Sequence, residues 1–185
     1  MISAIILAAG YGVRAGKPKL MLEAEGKSFL SIITENLSKV KIDKIICVVN
    51  EQSYEWAVRE AKGIEFVINP HPENGMLSSV LIGFNKCNDS NGLLIIPVDH
   101  PFVNSNTYQS IIDAFYSNSS AVIKPVYNEK SGHPVLIPSE LLNNFNVTDI
   151  DGGLNKIIKD SGAKTINIDV SDSGVTRNIN YINDL

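Results

Sequence analysis

"AIILAAGYGVRAGKPKLMLEAEGKS", residues 4–28, passes from an apolar run into glycines and cations. Gly10, Gly12 and Ala15 have the GxGxxG/A spacing of a dinucleotide fingerprint after a strand. That fingerprint needs a helix opening inside it, so that the helix N-terminus faces a pyrophosphate. Here Pro18 follows closely, and no helical period begins before Ser28. An acidic residue about 20 positions on is also missing, Glu51 being much too far downstream. A P-loop fails as well, because Tyr11 stands where its first glycine belongs and Pro18 where Ser or Thr should follow Lys17. What remains is a long glycine loop bearing Arg14, Lys17 and Lys19. Its N–H groups and cations suit a polyphosphate. An ordinary strand-to-helix loop with solvated lysines is the competing reading.

The whole chain sets the limits. It has 185 residues, 44% hydrophobic and 19% charged, which is ordinary globular composition and predicts a single domain over residues 1–185. A net charge of −4 gives no general attraction to nucleic acid or to an anionic membrane. Cys47 and Cys87 lack a CxxC spacing, so free thiols in a cytoplasmic protein are expected rather than a disulfide or zinc framework. No basic stretch precedes the first apolar run, so no signal peptide is read, and no apolar run approaches the about 18 residues of a membrane span.

Outward from the loop, apolar runs at 2–7, 44–49, 64–68 and 93–98 read as strands. Phe29, Ile32, Ile33, Leu37 and Val40 have helical spacing, as do Tyr108, Ile111, Ile112 and Phe115, with Asn104 to Asn106 as caps. Further strands are expected at 122–125, 134–137 and 165–170, and a short helix at 152–159. Alternation of this kind predicts an α/β fold with βαβ crossovers and a mostly parallel sheet, whose ligands bind at the carboxyl ends of the strands. Asp99 falls at such an end, where a carboxylate suits either magnesium or a helix N-terminus. Ser78 and Ser79 are placed to cap a helix or to touch a ligand, with Gly75 ahead of them permitting close approach. His133 is either a packed histidine or part of a pocket.

Leu7 to Lys19 has the form LAAG-x-G-x-R-x-G-x-x-K, which resembles the nucleotide loop of the nucleotidyltransferase superfamily. The similarity is greatest to the MocA-like molybdenum cofactor cytidylyltransferase group. "NPHPENGMLSSVLIGF" (69–84), "IPVDHPFV" (96–103), "SGHPVLIP" (131–138) and, more weakly, "DGGLNKII" (151–158) resemble further motifs of that group, in the same order and over nearly the whole chain.

The resemblance implies a three-layer Rossmann-like fold and transfer of a nucleoside monophosphate from an NTP to a phosphate-bearing acceptor. CTP is the implied donor, since LAAG is the form of cytidylyl-transferring relatives whereas guanylyl-transferring ones carry LAGG. Molybdopterin is the implied acceptor, Mg2+ the implied metal, and a transient contact with a cofactor-receiving enzyme the implied partnership. Leu7, Ala8, Ala9, Gly10, Gly12, Arg14, Lys19 and Ser79 would bind the nucleotide, with Arg14, Lys19 and Asp99 catalytic. Asp99 and Asn180 would hold the metal, and Gly75, Ser78 and His133 would meet the acceptor. The chain departs from the pattern at Ala15, usually Met, and at Asn155, where arginine is expected. Asn178 and Asn180 replace aspartates, which weakens a second metal ligand and leaves open a non-catalytic nucleotide-binding or cofactor-chaperone module on the same fold, or a nucleotidyltransferase with a different acceptor.

Overall fold

Every residue of the first strand, β1 (Ile2–Ala8), is buried, and its side chains divide between two separate cores. The computed structural model describes residues 1–12, 16–87, 89–143, 153–181 and 184. After β1 come the short strands β2 (Glu23–Ala24) and β3 (Lys27–Ser28), then α1 (Phe29–Leu37), β4 (Lys44–Val49), α2 (Glu51–Glu60), β5 (Glu65–Ile68) and α3 (Met76–Phe84). The second half supplies β6 (Gly92–Pro97), α4 (Ser105–Ser117), β7 (Val122–Tyr127), β8 (Lys130–Ser131), β9 (Val135–Pro138), α5 (Gly153–Asp160) and β10 (Thr165–Asp169).

The main sheet runs β10-β7-β9-β6-β1-β4-β5, with β8 added to β7. β1 lies between β6 and β4, parallel to both, and β5 and β10 also pair in parallel. Only the insertion of β9 between β6 and β7, and the β8 hairpin, are antiparallel in this sheet. Ile2, Ala4, Ile6 and Ala8 face one core with residues of α1, α2 and α4. Ile5 and Leu7 face the other with residues of α3 and α5. A strand buried on both faces reads as a continuous apolar run, which is why β1 was legible and why the mostly parallel α/β sheet takes three layers.

Three differences from the sequence expectations have local causes. Helix α1 stops at Leu37, and Val40 packs against the core from the following turn, so its helical spacing registers packing rather than helix. Helix α2 fully buries only Ser53 and Ala57, with Tyr54 and Trp56 packed partly against the core, and Asn50 marks its start by accepting a bond from Ser53 N at 2.9 Å. Asn104 occupies the N-cap position of α4 without a side-chain cap bond. Asp172 takes that role from 68 residues away, accepting from Asn104 N at 2.8 Å and Thr107 Oγ1 at 2.7 Å. Its other oxygen accepts from Gly174 N at 2.9 Å. Among the described residues no helix is long and apolar enough to cross a membrane.

Asp172 is 8% exposed, so truncation leaves orphaned donors with little access to water. Asp172→Ala is expected to lower unfolding free energy by about 2–3 kcal/mol, and Asp172→Asn by less, in urea titrations. Equal stability of wild type and Asp172→Ala would contradict this capping role.

Candidate active site

The loop after β1 is pinned at both ends. Buried Asn50 donates from Nδ2 to the Ala9 carbonyl at 3.0 Å, fixing where the chain leaves the sheet. Gly12 has φ +65°, and a Cβ there would meet the Lys17 carbonyl oxygen at 2.0 Å. This glycine is therefore a requirement of the loop folding back on itself. Beyond it, Leu20 and Leu22 are fully buried, so the single turn Lys19–Met21 is anchored and Lys19 is presented outward.

The second wall comes from the end of β6. Val98 N donates to the Leu7 carbonyl at 3.1 Å, which carries the strand pairing one residue beyond β6 before the chain turns at Asp99. The third comes from the C-terminal segment, where Ile179 is buried and its N–H donates to the Asp99 carbonyl at 2.8 Å. The three walls meet at one ammonium. Lys19 Nζ donates to Asp99 Oδ2 and to Asn180 Oδ1, each at 2.8 Å. Lys19, Asp99, Leu7, Gly10, Gly12, Met76, Pro97 and Val98 line a cleft of about 190 Å³.

Two oxygens directed at one cation form a hard donor set of the kind that suits magnesium. Among the described residues no group of three or more His, Cys, Asp or Glu could hold a metal ion. A divalent cation at Asp99 and Asn180 would therefore complete its shell with water and phosphate oxygens, which is how magnesium is commonly held.

Across Met76 lies a second cavity of about 370 Å³, bounded in part by Lys124, Ser131, His133, Asn155 and Leu154. His133 stands with its ring centroid 4.9 Å from that of buried His100, and Nδ1 of each is buried without a hydrogen-bond partner. Burial lowers the pKa of His100, and burial reinforced by His100 pulls that of His133 down to about 4. Both imidazoles are neutral near pH 7.

The sequence-derived positions divide accordingly. Leu7, Gly10, Gly12, Lys19 and Asp99 come together in the first cleft, with Asn180 bonded to Lys19, and His133 lines the second cavity. Ala8 and Ala9 are buried in the core, Ala8 on one side of the sheet and Ala9 on the other. Ser78 is fully buried, donating to the Gly75 carbonyl at 2.7 Å and accepting from Asn69 Nδ2 at 2.9 Å. Ser79, also buried, accepts from the same amide at 2.9 Å. These serines brace the entry to α3, and Gly75, φ +87°, stands at the N-cap position of that helix. Arg14 lies outside the described residues. Asn69, Asn50, His100 and Met76 acquire their roles only through the fold. The sole signal for Asn69 was its place just beyond a strand end, in the stretch quoted at 69–84.

Residues 4–165 match the model of the MobA-like NTP transferase domain. A "Probable molybdenum cofactor guanylyltransferase" of Natranaerobius thermophilus is 24% identical over 159 residues, covering 80% of this chain and 76% of that protein. Among solved structures, a nucleotidyl transferase from Methanothermobacter thermautotroptrophicus superposes with a TM-score of 0.78 at 23% identity, over 100% of this chain and 94% of that one. Rv0371c from Mycobacterium tuberculosis H37Rv gives 0.80 at 19% identity, over 99% and 94% of the two chains. A manganese complex of Rv0371c gives 0.71 at 18% identity, over 91% and 89%. These superpositions establish a shared Rossmann-like fold. With the family match spanning the glycine loop, the Asp99 turn and every strand through β9, the chain belongs to the MobA-like NTP transferase family of nucleotidyltransferases.

Proposed function

We propose that the chain transfers CMP from CTP to a phosphate-bearing acceptor, with molybdopterin as that acceptor and Mg2+ as the metal. The observation that carries the reading is the convergence of Lys19, Asp99 and Asn180 at a cleft walled by the glycine loop. An acceptor phosphate oxygen attacks the α-phosphorus, the bond to the bridging oxygen breaks, and pyrophosphate leaves with the electron pair. Such transfer depends on positioning and on neutralising charge around phosphorus. Lys19 supplies a cation for the phosphates, and Arg14 is proposed as a second. Asp99, with Asn180, would hold the metal, whose chemistry is to polarise the phosphates.

The acceptor is assigned to the second cavity, where Lys124 offers one cation beside Ser131, His133 and Asn155. His133 is a contact here and not a base, since an acceptor phosphate is already ionised near neutral pH. CTP is preferred because the loop carries LAAG at Leu7–Gly10. The relative named as a guanylyltransferase makes GTP the informative competitor. Molybdopterin follows from that name and from the family resemblance.

Asp99→Ala is expected to reduce pyrophosphate release by about 10²–10³-fold while far-UV circular dichroism is unchanged. Wild-type turnover by this variant would overturn the assignment. In thermal-shift titrations with Mg2+, CTP at about 100 Kd should add about 2.7 kcal/mol of stability, with GTP at the same concentration adding less. A larger shift with GTP would reverse the nucleotide preference.

The histidines give a third check. Because the folded pKa of His133 lies below the ordinary 6.5, the unfolded chain takes up its proton first as pH falls. His133 therefore contributes no penalty above pH 6.5 and a growing one from 6.5 down to about 4, with His100 acting in the same direction. Urea midpoints measured across that window should fall less steeply for His133→Gln than for wild type.

A further inference from the structure

The Lys19 ammonium occupies the position between Asp99 Oδ2 and Asn180 Oδ1, 2.8 Å from each, and so engages the two oxygens that would hold a divalent cation. We propose that Lys19 reserves this position, so that the site takes up a divalent cation only together with a triphosphate that draws the ammonium away. This rests on the nucleotidyltransferase reading and concerns the order in which its ligands assemble.

The charges of the three side chains carry the inference. Lys19 and Asp99 cancel and Asn180 is neutral, so these three side chains together present no net negative charge to a free hydrated dication. To enter alone, such an ion must break the ammonium–carboxylate contact and then stand beside the displaced ammonium. One carboxylate and one amide are too few donors to offset that repulsion and the loss of hydration, because magnesium dehydrates reluctantly. A triphosphate changes both sides of the exchange. Its oxygens give Lys19 a new anionic partner and supply the cation with ligands that the protein lacks.

The backbone permits such a movement without rearranging the fold. Leu20 and Leu22 hold the turn in the core, while the Lys19 side chain is 23% exposed on a flexible four-carbon stem. Asn180 matters through what it is not. A second carboxylate there would add one negative charge to these three side chains even while Lys19 is in place, and the cation would no longer wait for nucleotide.

Free Mn2+ observed by electron paramagnetic resonance, titrated with the full chain in the absence of nucleotide, tests this directly. Wild type should bind Mn2+ weakly, whereas Lys19→Met and Asn180→Asp should each bind it about tenfold more tightly or better. Lys19→Met removes the ammonium and leaves Asp99 without it, so its melting curve is recorded alongside. Asn180→Asp retains the Lys19–Asp99 pair and tests the proposal even if the first variant unfolds. Equal nucleotide-free affinity in wild type and a folded variant would overturn it. Adding CTP to wild type should raise Mn2+ affinity by tenfold or more. If CTP and Mn2+ bind wild type together but neither substitution alters binding of Mn2+ alone, Lys19 gating fails and the transferase reading stands. If no triphosphate binds wild type with or without Mn2+, both fall.

Discussion

At Gly132 and Gly174 the chain passes so close to itself that a single methyl group would not fit. A Cβ at Gly132 would stand 2.2 Å from the Val175 carbonyl oxygen, and one at Gly174 would stand 2.2 Å from that of Phe102. Neither glycine has the left-handed conformation, so contact and not backbone freedom requires them. The consequence is that the C-terminal segment lies wedged between the turn after β6 and the strand entry at His133. His133 N donates to the Val175 carbonyl at 2.8 Å on one side, and Ile179 N to that of Asp99 on the other. Asp172, at the start of the segment, is tied into the first turn of α4. Asn180 reaches Lys19 because of this wedge, although the two are 161 residues apart.

That geometry explains what could be read from the sequence and what could not. β1 and the position of Asp99 were legible because two-faced burial writes a continuous apolar run, and a strand end writes a change from apolar to polar. Both signals are local. Asp172 was not legible as a helix cap, because nothing near Asn104 announces a carboxylate arriving from the far end of the chain. Ser78 and Ser79 looked suited to capping first, and to ligand contact as well. The Asn69 amide decided their geometry by bonding both hydroxyls from the end of the neighbouring strand. Gly12 could be read as an opening for phosphate, yet its steric need is the Lys17 carbonyl, a constraint of the loop's own closure.

The two cavities also differ electrically in a way that residue types alone conceal. Three histidines count as uncharged only by convention, and two of them sit next to the turn that carries Asp99. Burial keeps His100 neutral, and burial reinforced by the neighbouring His100 does the same for His133. Among the described residues that line the two cavities, the cations are lysines, Lys19 beside Asp99 and Lys124 in the second cavity.

Met76 then acquires a role that follows from its place. It is 49% exposed, opens α3 immediately after Gly75, and lines both cavities. Transfer at phosphorus needs the attacking and departing oxygens roughly in line, so donor and acceptor must approach from opposite sides of the α-phosphate. In the proposed reaction a side chain between the two cavities separates the ligand bodies while leaving their phosphates able to meet. An unbranched thioether suits that position, because it can change rotamer to fit either ligand without disturbing the buried residues of α3 behind it. The glycine ahead of it has open space around its Cβ position, so the adjustable part of the wall is the methionine, and the rigid part is the helix braced by Asn69.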